Sequence, residues 1–185
     1  MKRCAWVGKD PKMIEYHDTE WGVPTKNEQL LFEYIVLDSF QAGLSWQITL
    51  NKREGFYEAF ENFDPVKIAE YKEAKVKELV NNPEIIRNRQ KILATINNAQ
   101  KVLEFAPGEF SKYIWSFVGG ETMQNNFVLD KDIPAKTEES ETMSKDMRGR
   151  GFKFVGPTIC YAFMQATGLV NDHLVSCFRY KEVQS

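Results

Sequence analysis

Apolar positions recur along most of the chain at intervals of three and four, the repeat of a helix face, and nowhere convincingly at the interval of two that marks a strand. Residues 28–40 (EQLLFEYIVLDSF) carry Leu31, Tyr34, Ile35 and Asp38 at helical spacing, which predicts a helix. Residues 41–45 (QAGLS) interrupt it, and helical character resumes over 46–60. Asp64-Pro65 opens the next helix, with Asp as N-cap and Pro at the first helical position. Residues 85–103 read as one long amphipathic helix, with Ile86, Ile92, Ile96 and Val102 inward and Arg87, Arg89 and Lys91 near its start. A short aromatic helix is expected over 110–118, a polar loop over 119–139, and the last two helices over 142–148 and 157–167. With no internal repeat, the expected fold class is all-α.

Length and composition narrow the class without naming it. A chain of 185 residues supports one solid core, so a single domain over 1–185 is expected. No apolar run approaches the roughly 20 residues that span a bilayer, and Met1-Lys2-Arg3-Cys4 lacks the apolar core of a signal peptide, so no membrane partner is expected. Three cysteines, an odd number, do not make a disulfide framework and suggest a reducing cytoplasm. A net charge of −2 argues mildly against nucleic acid, but DNA responds to local basic patches rather than to the chain average. Trp6, Trp21 and Trp46 crowd into the first 46 residues beside polar groups, as a pocket for a flat ring requires.

Each of the two histidines lies near a cysteine: Cys4 precedes His17 by 13 positions, and His173 precedes Cys177 by four. A helical i, i+4 pair would set His173 and Cys177 on one face, about 6 Å apart. Two imidazoles and two thiolates make the closed tetrahedral shell of structural zinc, which would clip the two ends of the chain together. Spacing alone leaves a second reading open, that these are unrelated core residues, because cysteine is often buried as a small hydrophobe. Cys160, between Ile159 and Tyr161 and far from either histidine, reads as core.

Residues 148–168 (RGRGFKFVGPTICYAFMQATG) join two helices through a glycine-containing turn. Gly151 suits the left-handed position after the first helix, and Pro157 the first turn of the second. Unpaired N–H groups at a helix N-terminus donate to a phosphate, and Arg148, Arg150 and Lys153 add positive charge beside them. The segment resembles a helix-hairpin-helix DNA-binding element, although glycine and proline between helices also make an ordinary turn. Arg150, Lys153 and Gly156 are the expected DNA-backbone contacts.

Eight strings then carry a resemblance that runs from end to end: Arg3-Cys-Ala-Trp-Val7, Tyr16-His-Asp18, Glu20-Trp-Gly-Val-Pro24, Gln41-Ala-Gly-Leu-Ser-Trp46, Ile85-Ile-Arg87, Trp115-Ser-Phe117, Gly151-Phe-Lys-Phe-Val-Gly156 and Leu169-Val-Asn-Asp-His173. Together they resemble the family of 3-methyladenine DNA glycosylase I. The resemblance implies a helix-hairpin-helix glycosylase fold of two small helical lobes. It implies one structural Zn2+ per chain at Cys4, His17, His173 and Cys177, in a lobe made by the N- and C-terminal segments. It also implies a base pocket of Trp6, Tyr16, Trp21, Trp46 and an acid at position 38, with Asp38, Tyr16 and Trp46 in the catalytic roles. The family usually has glutamate where Asp38 stands, so the acid here is one methylene shorter. Many helix-hairpin-helix glycosylases carry a catalytic aspartate after the hairpin; that position falls on Asn171, beside Asp172.

The reaction so implied is monofunctional: a nucleotide is flipped from alkylated double-stranded DNA and 3-methyladenine is released by water, leaving an abasic site. Methylation at N3 leaves a cationic purine that departs neutral, so selection matters more than acid catalysis. Tryptophan faces attract a cation by roughly 0.5–2 kcal/mol per contact. The carboxylate of Asp38 could accept from the adenine edge. A monomer is expected. Without the resemblance, the three tryptophans read more readily as core, whereas a carboxylate within an apolar helix must reach water or a partner. Three other readings stay open: a non-catalytic zinc-containing damaged-DNA-binding protein, a glycosylase shifted toward another alkylpurine such as 3-methylguanine, and a zinc-stabilised helical interaction domain. An intact aromatic set around Asp38 speaks against the first, and the basic hairpin against the last.

Overall fold

The computed structural model describes residues 1–184. Its helices are α1 (Pro11–Thr19), α2 (Glu28–Gln41), α3 (Trp46–Asn51), α4 (Arg53–Ala59), α5 (Pro65–Ala69), α6 (Glu73–Asn81), α7 (Arg89–Val102), α8 (Glu109–Ser116), α9 (Glu138–Gly149), α10 (Pro157–Ala166) and α11 (Arg179–Glu182). The all-α expectation holds apart from one two-residue parallel pair, β1 (Met123–Gln124) with β2 (Val170–Asn171). Two residues are too few for alternation to show in a sequence.

Helix α2 is the axis of the core. Residues 31–40 are all buried, because neighbouring helices α3, α7, α8 and α10 surround it. Apolar residues on every side leave it no amphipathic stripe, as expected of a fully enclosed helix. Asn27 caps its start by accepting from the Leu30 N–H at 2.9 Å. At its end the buried Lys91 ammonium donates to the carbonyls of Phe40 and Ala42, both at 2.8 Å. Lys91 thus supplies the donors that the last turn of a helix lacks.

Several boundaries differ from the pattern. The helix expected over 46–60 is two helices separated at Lys52. The helix expected from residue 85 begins at Arg89, where the Asn88 side chain accepts from the Lys91 N–H at 3.1 Å. Arg87 therefore precedes the helix. Helix α9 starts four residues before residue 142, because Thr137 and Ser140 form a reciprocal cap. Helices α1, α6 and α11 fall outside the expected set. Asp10-Pro11 gives α1 the same start signal as Asp64-Pro65, with the Asp10 carboxylate accepting from the N–H groups of Lys12 and Met13.

The α9–α10 hairpin forms as the glycine and proline positions predict. Gly151 has φ 92°, its N–H reaches the Arg148 carbonyl at 3.0 Å, and the Phe152 N–H reaches that of Met147 at 3.0 Å. This is the left-handed helix stop in which two orphan carbonyls are recovered. Pro157 opens α10. Asn98 on α7 clamps Lys153 through both backbone groups, at 2.8 and 2.9 Å. Side chains also take the carbonyls of Gly151, Phe154 and Val155, from Asn97 at 2.8 Å, Ser39 at 3.2 Å and Ser144 at 2.7 Å.

Beyond α10 the chain turns back on residues 22–25. Gly22 donates to the Gln165 carbonyl and Thr25 to that of Thr167, both at 3.1 Å. Gly168, at φ 72°, passes so close that a Cβ there would lie 2.4 Å from the Pro24 nitrogen. That approach carries residues 173–177 to α1 and lets the Phe178 N–H bond the Lys2 carbonyl at 3.0 Å.

Candidate metal cluster and base pocket

Tyr16 and His17 are neighbours on α1, about 100° apart around its axis, so one helix serves two sites. His17 enters a buried group with Cys4, His173 and Cys177, whose ligand atoms lie within 4.8 Å of one another. The order of donors along the chain is as expected, but the local geometry is not. Residues 173–177 form a non-helical turn, closed by the Cys177 N–H on the Leu174 carbonyl at 2.7 Å, so the spacing of four arises without a helix.

The donor set fits a four-coordinate ion. Tetrahedral bonds of about 2.3 Å to sulfur and about 2.0 Å to nitrogen place sulfur and nitrogen about 3.5 Å apart. Cys177 Sγ lies 3.4 Å from His17 Nε2 and 3.6 Å from His173 Nδ1, and Cys4 Sγ lies 3.8 Å from His173 Nδ1. The remaining ring nitrogens are already engaged. His17 Nδ1 meets Asp18 at 2.8 Å, and His173 Nε2 meets the Trp21 carbonyl at 2.9 Å. Arg3 in turn grips the Asp18 carboxylate at 2.6 Å and holds it low, at about 2. Such outer partners fix which nitrogen faces a metal. The hydrogen bond from Cys4, with those of both histidines, holds the Cys177 thiol well below its ordinary range.

Against this cluster lies a cavity of about 310 Å³ lined by Trp6, Tyr16, Trp21, Asp38 and Trp46 together with Gln41, Asp130, Ile133, Ala162, Gln165 and Ala166. All five residues expected to hold a base share its wall. Tyr16 and Trp46 face one another with ring centroids 5.1 Å apart, and Trp6 and Trp21 meet edge-on at 5.0 Å.

Two carboxyl groups on α2 show what is unusual here. Glu33 is buried but paired with Arg53 at 2.7 Å and with the Tyr57 hydroxyl at 2.7 Å. Asp38 is buried with no hydrogen-bond partner for Oδ2, and burial alone pushes its carboxyl well above the usual range. Trp46 Nε1 and Asp130 Oδ1 are also buried without partners. Burial likewise pushes the Tyr16 hydroxyl well up.

The pattern along the chain missed six lining residues. Ala162 and Ala166, four apart on α10, are small enough to leave the cavity open, and Gln165 sits beside them in an otherwise apolar helix. Asp130 and Ile133 come from the segment expected to be only a loop; no periodicity marks such a contribution. Asn171 is not in this wall. Its amide donates to Gln124 at 2.8 Å and to the Tyr180 carbonyl at 2.9 Å. Outside the cavity, Gly156 caps α10, Lys153 is exposed, and Arg150 pairs with Asp146 at 2.8 Å while stacking 4.5 Å above Tyr113. Cys160 is buried, as expected of core.

Similarity to known proteins converges on one family. A family model for methyladenine glycosylase matches residues 6–180. The chain is 50% identical over 182 residues to DNA-3-methyladenine glycosylase 1 of Escherichia coli, covering 97% of each. It is 46% identical over 177 residues to DNA-3-methyladenine glycosylase of Haemophilus influenzae, covering 95% of this chain and 96% of the other. Among solved structures, a 3-methyladenine DNA glycosylase I superposes with a TM-score of 0.93 at 47% identity, over 96% of this chain and 98% of that one. The Staphylococcus aureus enzyme, solved for the structural basis of 3-methyladenine recognition, superposes at 0.92 and 37% identity, over 96% of each chain. With the match spanning nearly every element described above, the chain belongs to the methyladenine glycosylase family.

Proposed function

We propose that the protein is a monofunctional DNA-3-methyladenine glycosylase: it takes the alkylated nucleotide from double-stranded DNA into the aromatic cavity and releases 3-methyladenine by hydrolysis, leaving an abasic site. The observation that carries this reading is the unpartnered Asp38 carboxyl in a wall of Trp6, Tyr16, Trp21 and Trp46. Native proteins rarely leave such a group without a partner unless a ligand supplies one.

The chemistry follows from the charge of the lesion. A neutral base gives Asp38 no reason to ionise in its buried setting. A cationic 3-methyladenine does, because an opposite charge within a few ångströms favours the carboxylate. Tyr16 and Trp46 present ring surface to the same cation. Bond cleavage returns the glycosidic electron pair to the base, which leaves neutral without needing a proton. Asp38 therefore acts on selection, since its attraction is strongest before the bond breaks and contributes little to the chemical step itself. Water completes the reaction at the sugar carbon and gives its proton to solvent.

Zn2+ is the ion we assign to Cys4, His17, His173 and Cys177, because two thiolates and two imidazoles fill its shell and leave no open position. When bound it supplies a cross-link between the chain ends, behind the wall formed by Trp6 and Trp21, in a single domain. The α9–α10 hairpin is the proposed DNA-backbone contact, through Arg150, Lys153 and the N-terminus at Gly156. Four of its carbonyls are tied to side chains of α2, α7 and α9, which removes acceptors that would oppose a phosphate.

One assay tests the whole reading. Methylated duplex DNA is incubated with the protein and released bases are separated by chromatography. Free 3-methyladenine is expected; DNA binding without any released base would instead favour the non-catalytic damage binder.

A further inference from the structure

Gln165 lines the cavity, and its amide is not free to turn. Nε2 donates to Asp172 Oδ2 at 2.8 Å, where the Tyr161 hydroxyl also donates at 2.5 Å. Asn125 donates to the other oxygen at 2.7 Å. Asp172 is itself buried, so these three groups are its surroundings. A carboxylate accepts and does not donate. Turning the Gln165 amide over would set its carbonyl against that carboxylate. The NH2 end is thereby committed to Asp172, and Oε1, which accepts no hydrogen bond among the described residues, is left for the cavity. The main chain of Gln165 is fixed as well, through its carbonyl bond from Gly22 next to Trp21, at 3.1 Å.

We infer that Gln165 is a specificity-determining residue that presents a carbonyl acceptor to the bound base, and that Asp172 is the positioning residue that keeps it an acceptor. This deepens the proposed function and rests on it. Adenine and guanine differ at C6, where adenine carries an amine with two N–H donors and guanine a carbonyl oxygen. Asp38 on α2 and Gln165 on α10 offer one acceptor each to that amine. A 3-methylguanine would bring its oxygen against them and leave the site's polar groups unpaired. The acid beside the position where many helix-hairpin-helix glycosylases carry a catalytic aspartate thus acts through an amide instead of touching the reacting bond.

The test measures excision of 3-methyladenine and of 3-methylguanine from methylated DNA by the parent, Gln165→Met, Asp172→Asn and the double variant. Gln165→Met is expected to lower 3-methyladenine excision about tenfold, the scale of one net hydrogen bond. Asp172→Asn lets the amide turn, so 3-methylguanine excision rises relative to 3-methyladenine. The double variant matches Gln165→Met alone, because Asp172 has nothing left to position. A purely structural Asp172 would lower both activities equally and leave their ratio at the parent value, which overturns its role. An unchanged ratio in Gln165→Met overturns the proposal outright, and that arm decides the matter where Asp172→Asn fails to fold. A parent that releases no 3-methyladenine refutes the proposed function instead, a result no variant can mimic.

Discussion

The cysteine–histidine cluster and the candidate base cavity share a wall, yet they treat buried polar atoms in opposite ways. Trp6 packs 5.5 Å from the His17 ring and Trp21 4.6 Å from that of His173. On the cluster side every ring nitrogen and both sulfurs have a neighbour at bonding range. On the cavity side Asp38 Oδ2, Trp46 Nε1 and Asp130 Oδ1 have none. The difference separates a region whose polar atoms are satisfied within the chain from one whose polar atoms are left open to the cavity. Unsatisfied buried groups cost stability, and besides Thr49 Oγ1 and Arg179 Nε elsewhere, the buried side-chain atoms without partners among the described residues all line this cavity.

The largest effect should come from breaking the complete side. If the cluster holds the proposed ion, Cys177→Ala or treatment with a chelator is expected to cost on the order of 5 kcal/mol, since binding of such an ion is coupled to folding. Cys160→Ala should cost about 1 kcal/mol, the loss of a small core group. Thermal unfolding of both variants checks this; equal losses would make the cluster ordinary core.

Asn171→Asp comes next. A carboxylate would face the Gln124 and Tyr180 oxygens that the amide now satisfies, at a cost of about 3 kcal/mol. No gain in excision is expected, because the side chain lies outside the cavity wall. A stable variant with higher activity would show that the post-hairpin acid of related glycosylases can be restored here.

On the incomplete side, Asp38→Asn should lower kcat/KM for excision by about 1–3 kcal/mol, through weaker capture of the lesion rather than a slower chemical step, with metal content unchanged. The same change should stabilise the free protein. Burial raises the folded-state value of Asp38, so from about pH 4 upward the folded chain keeps a proton that the unfolded chain releases, and stability falls as pH rises toward the folded value. The advantage of the Asn variant in melting temperature should therefore grow as the pH rises above about 4. Parallel curves would mean that Asp38 already has a partner. Asp38→Glu, which restores the family's usual acid, should match or exceed the parent in excision.

The smallest effect belongs to the hairpin, where Lys153 is exposed and has no ion-pair partner among the described residues. Lys153→Ala should reduce the salt dependence of duplex binding by about one unit per lost contact. Arg150→Ala should change it less, because Asp146 already holds that guanidinium. Unchanged slopes in both would move the DNA surface toward Arg87–Lys91.

Legibility in the sequence followed the same division. The four clustered donors stood out because each of only two histidines lies near a cysteine. The turn between His173 and Cys177 did not, since a spacing of four fits a helix and a closed turn alike. The aromatic wall and Asp38 were visible through the resemblance. Gln165 was hidden by the apolar helix around it, and Asp130 by a loop whose reach depends on tertiary packing. Ile85 and Ile86 continued a helical pattern across an extended segment, because burial selects apolar residues whatever the backbone does. The interruption at Lys52 has neither glycine nor proline to announce it.

The bond between Lys2 and Phe178 has a consequence during synthesis. Trp6 and Trp21 are synthesised well before Cys177, so no nascent chain short of Cys177 can complete the cluster that backs them. Closure of the cluster is therefore a late event in synthesis that joins segments 160 residues apart in the chain.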